Sequence, residues 1–443
     1  MEGESMAYQK YKTEPLACYE RGRELRAEHF QNIKSAKEQG KLLVSGSATI
    51  AAYEIPAGLG DDVVTFVDDA YAVNIAAHPE FSAEARAAAE ARGLTADVCG
   101  YTLNYAGSVF LDRFLFGGPF PKPDLVFCEH NCDARGRWSQ IIADHFGVPI
   151  FLWERPCGPA IKGTNHRVEY MVAQLNEAIE WMEKVTGRKY DDEKLIEATR
   201  NCFRSTKLWG EILLLNRAIP APIDVRALIS LMVVYIWRRH EKVGVEFLET
   251  LRDEIKYRID NKIAASAGER CRLMIEDEPA HPALSLLRWT QDNYGIVWLS
   301  TLSYTGVYGE LELQEDGTVA LAKTPEERWG TFRTREDALR ALADSSERSW
   351  LERRIAYPPD VNPEYIGLTK QLRADGVLLH VTKSCPANSA SVPERKLAFQ
   401  RAGIPVTTYE STPSAPNDDD VRRLKANLEI FLQEAMGLTK LSN

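Results

Sequence analysis

The sequence has no stretch approaching the ~20 consecutive apolar residues that a membrane span needs. A membrane-spanning helix is therefore excluded, and no membrane partner is expected. It begins Met-Glu-Gly-Glu, without the basic-then-apolar pattern of a leader, so a cytoplasmic protein is expected. Positive charge is the scarcer sign, 54 Lys and Arg against 64 Asp and Glu, and a net charge of −10 argues against nucleic acid as a partner. Short basic groups such as Arg422, Arg423 and Lys425 read as solvated helix faces. There is no Gly-x-x-x-x-Gly-Lys-Ser/Thr phosphate loop, no repeat of solenoid length and no low-complexity tract. Cysteines in tight pairs are also missing: among the eight, only Cys128 and Cys132 lie close together. In a reducing compartment disulfides are not expected, so each cysteine is a ligand, a nucleophile or a packing residue.

What is present is globular. The chain has 443 residues, of which 44% are apolar and 27% charged, enough for two or three domains with large cores. Its organising stretch is Pro123 to Trp138, in which Asp124 to Phe127 reads as a short buried strand and Gln140 to Phe146 as a helix stopped by Gly147 and Pro149. Cys128 and Cys132 are then expected in the strand-to-helix loop. In an open parallel sheet that loop lies at the carboxyl edge, where ligands bind.

The same alternation recurs. Leu42 to Ser45, Val63 to Val67 and Pro149 to Trp153 read as further strands, with helices from Tyr19 and over Ala83 to Arg92, the latter ended by Gly93. Cys99 stands where the next helix begins, and Cys157 follows the strand that starts at Pro149. From Arg167 to about Asn261 the period is helical throughout, with Cys202 on an apolar face. A second alternating region follows: Cys271 to Ile275, Gly295 to Leu299, Gly376 to Val381 and Ile404 to Tyr409 as strands, a hairpin over Gly309 to Leu321, charged helices over Thr324 to Lys370 broken at Pro358-Pro359, and a terminal helix over Val421 to Met436. The expected fold is α/β: two lobes with doubly wound, mainly parallel sheets, residues 1–165 and 263–443, joined by a helical segment, 166–262.

Five cysteines, Cys99, Cys128, Cys132, Cys157 and Cys385, follow strands or open helices. Cys271 precedes its strand, at the opposite sheet edge. Thiolates from scattered loops suit an iron-sulfur centre. Two alternatives stay open: structural zinc, because Cys128-x3-Cys132 with His130 inside it is an allowed ligand spacing, and a catalytic thiol with His130 or His380 as base.

Several motifs occur in one order along the chain: Glu54-Ile55 before Ala57-Gly58, Cys99-Gly100-Tyr101 opening a helix that contains Gly107, Pro123-Asp124 before a strand with Cys132-Asp133 after it, Gly147-Val-Pro149, Glu183-Lys-Val-Thr-Gly187, Asp375-Gly376-Val377 before the strand leading to Cys385, and Gly403-Ile-Pro405. In these the sequence resembles the 2-hydroxyacyl-CoA dehydratase and benzoyl-CoA reductase family, and its size and additional cysteines are most similar to the larger core subunit of ATP-dependent benzoyl-CoA reductases. The segment Val421 to Phe431 only approximates the family's Arg-x-Arg-x-Glu-Ala-Phe.

The resemblance implies that Cys99, Cys132 and Cys385 ligate a 4Fe-4S cluster with one iron left open. Cys128 and Cys157, with Cys271 as a further candidate, would enlarge the set towards an 8Fe-9S double-cubane cluster. The implied reaction is reduction of benzoyl-CoA to a cyclic dienoyl-CoA, with Glu54, Glu129, His130 and His380 as candidate proton carriers. Implied partners are a smaller homologous core subunit, activator subunits that hydrolyse ATP, ferredoxin as electron source and an acyl-CoA substrate. Within the same resemblance the alternatives are a radical 2-hydroxyacyl-CoA dehydratase subunit and an electron-relay subunit without chemistry of its own.

Overall fold

The computed structural model describes residues 10–47, 49–158, 165–276, 284–301, 306–356, 361–412, 414 and 418–441. Eight strands form two four-stranded sheets. In the first are β1 (Leu42–Gly46), β2 (Val63–Val67), β3 (Leu125–His130) and β4 (Ile150–Glu154); in the second are β5 (Cys271–Glu276), β6 (Ile296–Thr301), β7 (Gly376–Thr382) and β8 (Val406–Ser411). Every pairing within them is parallel, and the spatial orders are β2-β1-β3-β4 and β6-β5-β7-β8. The two sheets therefore share one topology. In each, the order reverses between the first and third strands, which is the switch point where an α/β sheet opens a crevice at its carboxyl ends.

Local sequence accounts for most boundaries. The first helix runs Tyr19–Ser35; Arg135–Phe146 stops at Gly147 and His166–Thr186 at Gly187, both in the left-handed conformation that glycine adopts most readily. Asp191 and Asp224 accept backbone N–H groups at the starts of Asp192–Leu215 and Val225–Arg238. The expected hairpin is present as Leu311–Leu313 against Val319–Leu321, antiparallel. The charged region contains the helices Arg335–Arg348, Trp350–Ala356 and Asn362–Gln371. The break expected at Pro358-Pro359 lies outside the described residues. The terminal helix is Asp418–Ile430, continued by a wider turn over Phe431–Ala435.

One boundary differs with consequence. The strand expected to end at Phe127 continues to His130, because Cys128, Glu129 and His130 pair with Leu152, Trp153 and Glu154 of β4. Cys128 is thus a strand residue and not a loop residue. Its side chain joins the core under Val126, Tyr105 and Trp138.

The four helices between residues 166 and 260 pack against both sheets: His166–Thr186 on β4 and Val225–Arg238 on β6, with Arg335–Arg348 from the later region across His166–Thr186 and Asp192–Leu215. One apolar core runs from Leu25 and Val44 through Leu175, Trp209 and Leu248 to Leu342. The changes of period near 165 and 262 mark changes of secondary structure, and packing is continuous across them. No described helix is long and apolar enough to cross a membrane.

Candidate functional site

The carboxyl edges of the two sheets meet at a cleft of about 1170 Å³, bordered by His130, Asn131, Cys132, Glu154, Cys157, His166 and Tyr170 from one side and by Ile355, Pro386 and Ala387 from the other. That volume lies above the range of ordinary small-ligand sites. Cys132 follows β3 and Cys385 follows β7, the third strand of each sheet, so the two cysteines hold equivalent positions in two copies of one topology. Ser384, just before Cys385, has φ 59° without being glycine, a sparsely populated conformation held by the surrounding structure. The carbonyl of Cys385 accepts from Ser389 N at 3.0 Å, starting the short helix Pro386–Ser389. Cys99 precedes Gly100–Phe110 and lies within electrostatic reach of Cys132.

The Cys132 thiol is pushed up by burial, which is opposed by the Arg135 guanidinium and by the amides of Ala134 and Arg135. These are the donors that a thiolate ligand needs. Cys128, 1% exposed, is pushed up to about 12, again chiefly by burial. Cys157 is exposed and borders the cleft. Cys271 is buried at the amino end of β5 among Leu273 and Tyr294, away from the cleft. Cys202 is fully buried in the main core.

Among the described residues no three His, Cys, Asp or Glu side chains come close enough to share one metal ion. Cys128, His130 and Cys132 therefore do not form the mononuclear zinc site that their spacing allows, because β3 carries Cys128 into the core. Thiols delivered from separate loops are the donor type that a polynuclear iron-sulfur group takes: Cys132 borders the cleft with amide and guanidinium groups near it, Cys385 directly precedes the cleft residues Pro386 and Ala387, and Cys99 is within electrostatic reach of Cys132.

The four expected proton carriers separate. His130 borders the cleft, with Nδ1 3.3 Å from Glu154 Oε1, and Gly136 makes room for it: a Cβ there would lie 2.9 Å from its ring. Glu129 is fully buried on the opposite face of β3, and neither of its carboxylate oxygens has a hydrogen-bond partner among the described residues. Burial, and then the Glu352 carboxylate, push Glu129 well above the ordinary carboxylate range. Glu54 is not at the cleft. It is buried in an ion pair with Arg239 at 2.9 Å, since a carboxylate at zero exposure needs a cation. His380 is buried too, stacked on Tyr409 with ring centroids 4.3 Å apart and Nε2 2.9 Å from Ser411 Oγ.

Sequence reasoning missed the residues that hold the cleft together. Asn131 Nδ2 donates to Glu352 Oε1 at 3.1 Å, Arg155 Nη1 donates to the Glu352 carbonyl at 3.0 Å, and Arg167 Nε pairs with Glu347 at 3.1 Å. These bonds fix the loops carrying Cys132 and Cys157 to the helices Arg335–Arg348 and Trp350–Ala356. None of them carried a local signal, and the helix after Cys132 starts at Arg135, five residues before the Gln140 expected.

Known proteins share this chain's pattern. The alpha subunit of (R)-phenyllactyl-CoA dehydratase from Clostridium sporogenes is 25% identical over 86% of this chain and 87% of its own. The alpha subunit of (R)-2-hydroxyglutaryl-CoA dehydratase from Acidaminococcus fermentans is 24% identical over 71% of this chain and 61% of its own length, so the match spans about three fifths of that relative. A benzoyl-CoA reductase subunit from Thauera aromatica is 24% identical over 78% of each chain. The family described as 2-hydroxyglutaryl-CoA dehydratase, D-component, matches residues 70–434, and the chain belongs to that family.

Proposed function

We propose that this chain is the cluster-bearing core subunit of an enzyme that acts on an acyl-CoA thioester by single-electron chemistry, with Cys99, Cys132 and Cys385 as ligands. The observation that carries the reading is the cleft between the two sheets, at which Cys132 lies and to which the segment after Cys385 contributes. Bound there, a 4Fe-4S group with three protein thiolates would supply one-electron transfer and an open coordination position. The chain's own part is to bind and to exclude water. The bonds of Asn131 and Arg155 to Glu352 and of Arg167 to Glu347 hold the loops at the cleft, and His130 can hold a proton at Nε2 while Nδ1 faces Glu154.

Two substrates compete within this reading. Loss of water from an (R)-2-hydroxyacyl-CoA is favoured by the likeness to two dehydratase alpha subunits, one of them over 86% of this chain. Reduction of benzoyl-CoA is favoured by the likeness to the Thauera aromatica benzoyl-CoA reductase subunit and by the resemblance noted in the sequence motifs. The enlarged cysteine set that pointed to the reductase counts for less once Cys128 lies in the core, and the dehydratase reading is therefore put first. Both require a homologous partner subunit and an ATP-dependent activator fed by a low-potential donor such as ferredoxin. The test is an anaerobic assay of the chain with its co-purifying partner and an activator, offered a panel of (R)-2-hydroxyacyl-CoA thioesters and, separately, benzoyl-CoA. Formation of a 2-enoyl-CoA supports the first reading and of a dienoyl-CoA the second. Absence of iron and labile sulfide from the protein would overturn both.

A further inference from the structure

Arg135 is the first residue of the helix that follows Cys132, yet its side chain turns inward and is only 13% exposed. Nη2 lies 2.8 Å from Asp69 Oδ2 and Nη1 3.3 Å from Asp68 Oδ1, and the guanidinium carbon stands 5.2 Å from the centre of the Trp138 ring. Asp68 and Asp69 open the helix Asp68–Ala76 directly after β2, so they too stand at the carboxyl edge of the first sheet. The plane of the guanidinium is thus fixed by two carboxylates and an indole. Arg135 N donates to the Cys132 carbonyl at 3.3 Å, which places the residue one turn from that cysteine, and both the Cys128 and the Cys132 thiols lie within electrostatic reach of the guanidinium. A permanently charged group held this rigidly keeps its charge at every working pH.

We propose that Arg135 is the electrostatic positioning residue of this site, a fixed positive charge that raises the electron affinity of the group held by Cys132. The inference rests on the reading of Cys132 as a ligand. An electron added to such a group would add negative charge near Arg135, and a guanidinium only 13% exposed would stabilise it more than one in water. Asp69 opposes this by neutralising part of the charge. Arg135 therefore favours the reduced state and Asp69 the oxidised one, and the pair sets the balance. Lysine would preserve the charge but not the two-carboxylate fork.

The experiment is a redox titration followed by electron paramagnetic resonance, on the anaerobically prepared chain with its co-purifying partner, with iron counted in every sample. Arg135→Gln is expected to move the midpoint to lower potential and Asp69→Asn to move it higher. Arg135→Lys should stay nearer the wild type than Arg135→Gln. Arg137→Gln, at an exposed position two residues on, should match the wild type. Opposite shifts in Arg135→Gln and Asp69→Asn with iron retained support the proposal, because a merely structural role would not move the potential in two directions. Wild-type potentials in both variants, or shifts of one sign, overturn it. If Arg135→Gln fails to hold iron, Asp69→Asn and Arg135→Lys decide the matter: an unchanged Asp69→Asn potential overturns the proposal. Failure of the ligand reading is distinguishable, since it leaves the wild type itself without iron or labile sulfide.

Discussion

Cys132 and Cys202 show how differently two cysteines in one chain can be used. Cys132 is half-buried at a cleft, with the amides of Ala134 and Arg135 beside it and the Arg135 charge within electrostatic reach, whereas Cys202 is sealed among apolar side chains. Cys132→Ala and Cys385→Ala are expected to lose iron and activity together, while Cys202→Ala keeps its iron; equal iron contents in all three variants would defeat the ligand assignment. Cys128 belongs between them. Its sequence context predicts a loop, and the three extra residues of β3 that pair with Leu152, Trp153 and Glu154 put it into the core instead. A single strand's sequence could not reveal this, because Glu129 is depleted in strands by type and the apolar run ends before it, so these residues become strand through the partner ladder.

At the scale of elements, the helices Pro79–Glu90 and Gly100–Phe110 cross at Gly107. A Cβ there would lie 1.7 Å from the carbonyl oxygen of Ala85, and the obstacle is backbone, which cannot rotate away. Gly107→Ala is expected to cost at least about 1–3 kcal/mol of stability by urea titration, whereas Gly93→Ala, facing no atom within 4 Å, is strained only by its φ of +89°. The helix Tyr19–Ser35 meets Val225–Arg238 through His29 stacked on Trp237, with centroids 4.7 Å apart. Burial, and then Arg238, push His29 from the ordinary 6.5 down to about 3. The unfolded chain therefore binds the proton more readily than the folded one. Stability should be full above pH 6.5 and fall as the pH drops towards 3, with a slope of up to about 1.4 kcal/mol per pH unit from this site. His29→Phe should flatten that slope in acid unfolding curves, and an unaltered slope would show that His29 titrates normally. The helix and its start at Tyr19 were legible in the sequence from apolar spacing; its end at Ser35 and the stack across it were not, because nothing local marks a histidine's neighbour.

For the whole molecule, Arg239 is the joint. It stands after Val225–Arg238 and donates to Glu54 at 2.9 Å, to the Thr49 carbonyl at 2.8 Å and to the Tyr308 hydroxyl at 3.0 Å, linking both α/β regions to the helices between them. Arg239→Met leaves the Glu54 carboxylate buried without a cation and is expected to cost roughly 3–5 kcal/mol. Adding Glu54→Gln should recover part of that loss, and urea unfolding should remain a single transition because one core spans all three regions. Additive losses in the double variant would show that the pair is not coupled. The sequence by itself determined the alternation of strands and helices, the stop at Gly147, and the positions of Cys132 and Cys385 after strands, since each depends on periodicity and backbone preference within a few residues. Only the tertiary structure decided that the two sheets repeat one topology, that Glu54 serves Arg239 away from the cleft, and that Asn131 meets Glu352 across 221 residues of sequence. The physical reason is that a buried charge takes its partner from whichever segment packs against it, and the choice of that segment belongs to the assembled core.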